Sequence, residues 1–292
     1  MTKEEFRALT AKGPVILDGA TGSNLRAAGM PVGVSPELWV LEHPQVIIEL
    51  QRGYADAGSH IVFAPTFSAN RIALAGFGLA GRLEELTRQL VALTKEAVGD
   101  RCLVAADLST LGQPLEPLGP RSYQEAYDVY CQQIEAAVRA GVDLLGAETM
   151  LSVDETAAAL DAAQAVCELP VMCSVTVEAD GSLLFGGSAV DALVTLQEMG
   201  AAAVGINCSV GPDQLESVVR SMAEAASVPV IAKPNAGLPA MTETGEAVYS
   251  MGPEDFARHM VCLHDAGAQI LGGCCGTTPE YIRQLCLSLK TV

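Results

Sequence analysis

Three cysteines in this sequence stand where chemistry is easier to argue than packing. Cys208 follows an apolar run at 203–207, and Cys274 and Cys275 are adjacent, set between Gly272-Gly273 and Gly276 after a second run. Three thiolates with one place left open suit a catalytic zinc, which usually takes three protein ligands and keeps a fourth position for water or substrate. Sulfur ligands also select Zn²⁺ over Mg²⁺ or Ca²⁺. A structural zinc would instead show spaced Cys-x-x-Cys pairs and four protein ligands. Neighbouring side chains on an extended strand point opposite ways, so Cys274 and Cys275 reach one ion only where the backbone turns. The flanking glycines allow such a turn. On spacing alone a strained vicinal disulfide or idle thiols remain open. The other six of the nine cysteines, Cys102, Cys131, Cys167, Cys173, Cys262 and Cys286, fall in or beside predicted helices and strands. They are expected to be small buried hydrophobes.

What must position the three cysteines is a repeat of short Val/Ile/Leu runs and longer amphipathic stretches. Predicted strands cover 15–18, 60–64, 103–107, 143–148, 171–177, 203–207, 230–233 and 270–273. Segments 122–140, 153–167 and 253–267 carry apolar residues at helical spacing. Gly58, Gly141, Gly200 and Gly267 follow predicted helices as C-caps with positive φ. Eight near-equal strand–helix units without a break in composition predict one α/β domain over 1–292, a (β/α)8 TIM barrel with a parallel sheet. Its polar strand ends then meet at one mouth: Asp18-Gly19-Ala20, Pro65-Thr66-Phe67, Asp107-Leu108-Ser109, Glu148-Thr149, Asn207-Cys208-Ser209, Lys233-Pro234-Asn235 and Cys274-Cys275-Gly276. The long irregular stretches 21–43 and 234–252 both follow strands, on the face where barrels place their active sites.

The 292 residues suit one such barrel, and half are hydrophobic, enough for a large core. With 35 acidic against 17 basic residues the formal charge is -18, which excludes a basic footprint for nucleic acid or anionic lipid. No apolar run approaches the ~20 residues that span a bilayer, and no signal-peptide pattern opens the chain. An odd number of cysteines without a secretion signal points to reduced thiols, and the expected location is cytoplasmic.

The blocks Asp18-Gly19-Ala20-Thr21-Gly22, Gly205-Ile206-Asn207-Cys208-Ser209, Lys233-Pro234-Asn235-Ala236-Gly237 and Gly272-Gly273-Cys274-Cys275-Gly276-Thr277-Thr278-Pro279 resemble the homocysteine S-methyltransferase family. The likeness is greatest to the homocysteine-binding domain of cobalamin-dependent methionine synthases. It covers nearly the whole chain, with the blocks in order on the right strands. The resemblance implies one Zn²⁺ per chain on Cys208, Cys274 and Cys275, with the thiol of homocysteine taking the fourth place and leaving as methionine. It implies that Asp18 and Glu148 receive the substrate amino group. It also implies that the backbone around Gly19 and Ala20 cradles the carboxylate, and that Thr66 and Asn235 supply further polar contacts. For Thr66 and Asn235 a strand-end hydrogen bond is an equal alternative. One departure stands out: methionine synthases read Thr-Asn-Thr-Phe at the end of the second strand, where this chain has Ala64-Pro65-Thr66-Phe67.

The corrinoid-binding pattern Asp-x-His-x-x-Gly does not occur in the sequence. A methyl donor is therefore expected from outside, as methylcobalamin on a separate corrinoid protein or as a small sulfonium or ammonium compound. The same zinc barrel acting on another thiol, or in the demethylating direction, is an alternative. So is a zinc- or thiol-binding module without turnover, although an amino-group pocket argues against it. A phosphate-binding barrel using Gly272-Gly273 is a third, made poor by the two cysteines that follow.

Overall fold

Residues 1–241 and 247–290 are described by the computed structural model. Chain order is α1 (Lys3–Thr10), β1 (Val15–Ile16), α2 (Gly22–Ala27), α3 (Pro36–Glu42), α4 (Pro44–Ala57), β2 (Ile61–Phe63), α5 (Arg71–Ala75), α6 (Leu83–Val98) and β3 (Leu103–Leu108). There follow α7 (Tyr123–Ala140), β4 (Leu144–Met150), α8 (Val153–Val166), β5 (Val171–Val175), α9 (Ala189–Glu198), β6 (Ala203–Cys208), α10 (Glu216–Ala225) and β7 (Val230–Pro234). A small hairpin, β8 (Pro239–Met241) and β9 (Ala247–Tyr249), precedes α11 (Pro253–Asp265), β10 (Ala268–Leu271) and α12 (Pro279–Leu289). Each of the eight predicted strands is present, with ends within two residues of the expected ones. Gly58, Gly141, Gly200 and Gly267 all close helices with positive φ, a conformation glycine adopts without steric cost.

The eight barrel strands form one parallel sheet in the order β1-β10-β7-β6-β5-β4-β3-β2. The gap between β1 and β2 is bridged largely by side chains. The Ile16 carbonyl accepts the His60 N–H at 2.7 Å, and the Ile16 N–H donates to His60 Nδ1 at 2.9 Å. Ser59 Oγ donates to the Leu17 carbonyl at 3.1 Å. The sheet is thus a nearly closed α/β barrel.

Two apolar layers follow from the period-two geometry of strands. The inner layer takes inward residues of the strands, among them Val15, Phe63, Ala105, Leu144, Ile231 and Ile270, and Phe6 of α1 packs with them. The outer layer lies between strands and helices. Helices α7, α8 and α9 start at serines whose hydroxyls accept backbone N–H groups of the first turn: Ser122, Ser152 and Ser188.

Three expectations need correction. Segment 21–43 is not irregular: it holds α2 and α3, helices of six and seven residues, too short for periodicity to reveal. Segment 234–252 contains the antiparallel β8–β9 hairpin; its residues 242–246 lie outside the described residues. Cys262 is exposed. It falls off the stripe by which α11 buries Phe256, Ala257, Met260 and Leu263. Cys102 and Cys173 are buried, and Cys131, Cys167 and Cys286 are half-buried against the outer core.

Candidate active site and metal centre

Two or four residues beyond the inner apolar layer, the same inward parity carries polar side chains. Ala105 is followed by Asp107, Leu144 by Gly146 and Glu148, Ala203 by Gly205 and Asn207, Ile231 by Lys233, and Ile270 by Gly272 and Cys274. They gather at the C-terminal end of the barrel, where loops build active sites.

Backbone irregularities then aim individual groups. On β4, Ala147 pairs with Cys173 and Met150 with Val175, so one extra residue bulges between them. Thr149 in this bulge has φ 58°, and Cys208 and Ser209 at the end of β6 have φ 59° and 60°. Residues with side chains hold left-handed conformations at a cost of ~1–3 kcal/mol, and only when their surroundings enforce them. At Thr149, Asn207 does the enforcing. Its Oδ1 accepts the Thr149 N–H at 2.6 Å and the Ser174 hydroxyl at 2.8 Å, while its Nδ2 donates to Thr149 Oγ1 at 2.7 Å. The same Nδ2 lies 3.9 Å from Cys274 Sγ.

After β10 the chain turns at Cys274–Thr277. The Thr277 N–H donates to the Cys274 carbonyl at 3.1 Å, and Gly276 has φ 83°. A side chain at Gly276 would also run into the Tyr249 ring, whose Cγ lies 2.3 Å from where its Cβ would be. This turn lets two adjacent cysteines face one point. The sulfurs of Cys208, Cys274 and Cys275 lie within 4.8 Å of one another. Zinc bound tetrahedrally at ~2.3 Å to each sulfur separates its ligands by roughly 3.8 Å, so the trio fits the ion. Packed without a cation, the thiols share protons. Hydrogen bonds from Cys208 and Cys274 draw Cys275 down to about 3, while hydrogen bonds to Cys274 and Cys275, and then burial, push Cys208 far above a free thiol. Three adjacent thiolates need a cation among them, and a soft divalent one suits three sulfurs.

The cysteines open onto a cavity of ≈ 260 Å³, the scale of a small metabolite. Asp18, Gly19, Ala20 and Glu148 line it too, so the structure brings these predicted residues together. Thr66 and Asn235 stand behind it. Thr66 Oγ1 donates to the Asp107 carbonyl at 3.0 Å and accepts the Asp107 N–H at 2.9 Å. Asn235 Nδ2 donates to the Ser209 carbonyl at 2.9 Å. Ala20 gives its N–H to Thr277 Oγ1 at 3.0 Å, and a Cβ on Gly19 would come within 2.7 Å of that same oxygen. Pro65, at the departure from the family motif, also faces the cavity.

Lys233, quoted within a motif but given no role by sequence reasoning, sits at the centre of the acidic wall. Its Nζ is 2.7 Å from Glu148 Oε2 and 3.6 Å from Asp18 Oδ1, and 4.5 Å from the centre of the Phe63 ring. Burial works against its charge, but Glu148 and Asp18 prevail and hold Lys233 well above an ordinary lysine. The acids move the other way. Burial raises Asp18 to about 7 and raises Glu148, with Lys233 opposing both. Burial and then Glu148 push Asp107 well above a normal aspartate. The asymmetry follows from numbers: one ammonium feels three carboxylates, and the three share it. Asp107, Asn207 and Lys233 were readable as strand-end polar residues; counting inward parity along each strand would have joined them to the site.

Comparison with known proteins points one way. A family model, homocysteine S-methyltransferase, matches residues 15–289. Methionine synthase of Mycobacterium tuberculosis (strain ATCC 25618 / H37Rv) is 29% identical over 292 residues, covering 94% of this chain but 24% of that protein. The chain thus spans about a quarter of the length of this curated relative. Among solved structures, the homocysteine methyltransferase MmuM from Escherichia coli in its metallated form superposes with a TM-score of 0.79 at 24% identity, over 96% of this chain and 98% of that one. Its oxidized form gives 0.80 at 23% identity, over 98% of each chain. At those identities the superpositions speak for the fold. Among the described residues no helix is long and apolar enough to cross a membrane.

Proposed function

The chain belongs to the homocysteine S-methyltransferase family, and on that footing we propose that it methylates the thiol of homocysteine to give methionine, using one Zn²⁺ held by Cys208, Cys274 and Cys275. The observation that carries this reading is the meeting of three sulfurs with an acidic wall across one small cavity. The working unit is a single barrel domain over 1–292.

Bound there, zinc supplies the Lewis acidity that makes a substrate thiol nucleophilic near neutral pH. The chain's own residues do the rest. Asp18 and Glu148 set the negative potential that draws the substrate ammonium. The backbone at Gly19 and Ala20 shapes the place of the carboxylate, since no side chain fits at Gly19. Phe63, Pro65 and Phe67 offer apolar surface for the methylene groups. Thr66 and Asn235 hold the strand ends that carry these groups.

In the transfer a sulfur–methyl bond forms and the donor–methyl bond breaks, its electron pair leaving with the donor and the thiol proton leaving to solvent. The donor is a methylated corrinoid protein or a small methyl-onium compound. Likeness to methionine synthase favours the corrinoid, with methylcobalamin as its methyl carrier.

Zinc-edge X-ray absorption of the reduced protein tests the reading. One zinc per chain with three sulfur neighbours, becoming four on adding homocysteine, is the expected result. A sulfur count that ignores homocysteine would remove homocysteine as the substrate.

A further inference from the structure

We propose that Tyr249, the last residue of β9, is a positioning residue of the metal centre, its hydroxyl holding the Cys275 thiolate while its ring covers the turn that presents it. This rests on the reading that Cys208, Cys274 and Cys275 hold zinc, and it brings the β8–β9 hairpin into the site.

A short chain of backbone contacts places Tyr249 there. The Ala236 N–H donates to the Cys275 carbonyl at 2.9 Å, and the Ala236 carbonyl accepts the Met251 N–H at 3.1 Å. One residue thus ties the metal turn to the segment that follows Tyr249. Tyr281 fastens the same segment: its hydroxyl donates to the Met251 carbonyl at 2.7 Å, and its ring meets buried Phe256 edge-on with centroids 5.5 Å apart. Gly237 lets the end of β7 and the returning hairpin approach, since a Cβ there would lie 2.6 Å from Ser250 Oγ. At Gly276 a Cβ would lie 2.3 Å from Tyr249 Cγ and 2.4 Å from Cδ2, so the ring rests on the residue directly after Cys275.

With the ring so placed, the Tyr249 hydroxyl donates a hydrogen bond to the Cys275 sulfur. A phenol keeps its proton at neutral pH and can point it at a sulfur. Asn207 Nδ2 approaches Cys274 Sγ in the same way, at 3.9 Å. Three thiolates around one Zn²⁺ carry an excess of negative charge, and a substrate thiolate adds to it. Each donor aimed at a sulfur takes up part of that excess, and such outer partners orient the ligands and tune the metal. The hairpin therefore contributes no sulfur of its own but holds one in place.

Tyr249→Phe keeps the ring on Gly276 and removes only the hydroxyl; Tyr249→Leu removes both. With Co²⁺ loaded into the full reduced chain in place of zinc, the sulfur-to-metal charge-transfer band in the near ultraviolet reports electron density at the thiolates. In Tyr249→Phe the band is expected to move to longer wavelength, because a sulfur without its hydrogen bond gives up an electron more readily. Chelator competition is expected to show zinc held about tenfold less tightly. Tyr249→Leu is expected to lose at least as much affinity. A band and an affinity in Tyr249→Phe that match the wild type overturn the role of the hydroxyl, whatever Tyr249→Leu does. Wild-type protein that takes up Co²⁺ without a thiolate charge-transfer band overturns the metal reading, and this proposal with it.

Discussion

Asp18 Oδ2 accepts the Phe63 amide N–H at 2.8 Å, across the one junction of the eight-stranded sheet that lacks a strand ladder among the described residues. A carboxylate thus stands where a backbone carbonyl would otherwise accept, and a residue lining the cavity also helps to close the barrel.

Asp18→Ala therefore orphans a buried N–H and is expected to cost about 1–3 kcal/mol of stability. Asp18→Asn keeps an acceptor and is expected to lose less, while both variants bind homocysteine more weakly. Urea denaturation of the pair checks this. Equal stability of the two would show that the seam does not depend on the side chain.

The same residue makes stability pH-dependent. Burial lifts Asp18 from its ordinary value to about 7, so the folded protein holds this proton more tightly than the unfolded chain. Stability from that difference is complete below about pH 4 and is lost as pH rises through 7. Glu148 and Asp107 shift in the same direction. In the metal-free protein Asp18 is expected to account for up to about 4 kcal/mol of loss between pH 4 and 8. Denaturation midpoints of wild type and Asp18→Asn should converge as pH rises; a constant gap would contradict the sign.

Asn207→Ala removes the hub that holds Thr149 in its left-handed conformation and touches Cys274. Zinc affinity is expected to fall about 10–100-fold, the usual cost of losing an outer-shell partner. Competition with a chromogenic chelator measures it. Affinity within twofold of wild type would mean the sulfur trio is positioned without Asn207.

Gly146 leaves room for the Phe63 ring, which would lie 2.2 Å from a Cβ at that position. Gly146→Ala is expected to destabilise by about 1–3 kcal/mol through overpacking, and adding Phe63→Leu to recover part of that loss. Thermal or urea unfolding of the single and double variants decides it, the absence of any recovery telling against a clash with Phe63.

Much of this protein can be read from its residues alone. Eight Val/Ile/Leu runs with glycine-capped helices between them specify the barrel, because burial on both faces and helical periodicity are local patterns. Cys208 and the Cys274-Cys275 pair are legible because sulfur at strand ends, beside glycines, has few structural uses. What the tertiary structure alone decides is which polar groups meet. Lys233 lies 85 residues from Glu148 in sequence, yet its Nζ is 2.7 Å from that carboxylate, a distance set by strand stagger and barrel closure. The left-handed backbone at Thr149 and Cys208 is likewise unreadable locally, since both residue types disfavour it and only contacts made after folding, such as those of Asn207 with Thr149, hold it in place.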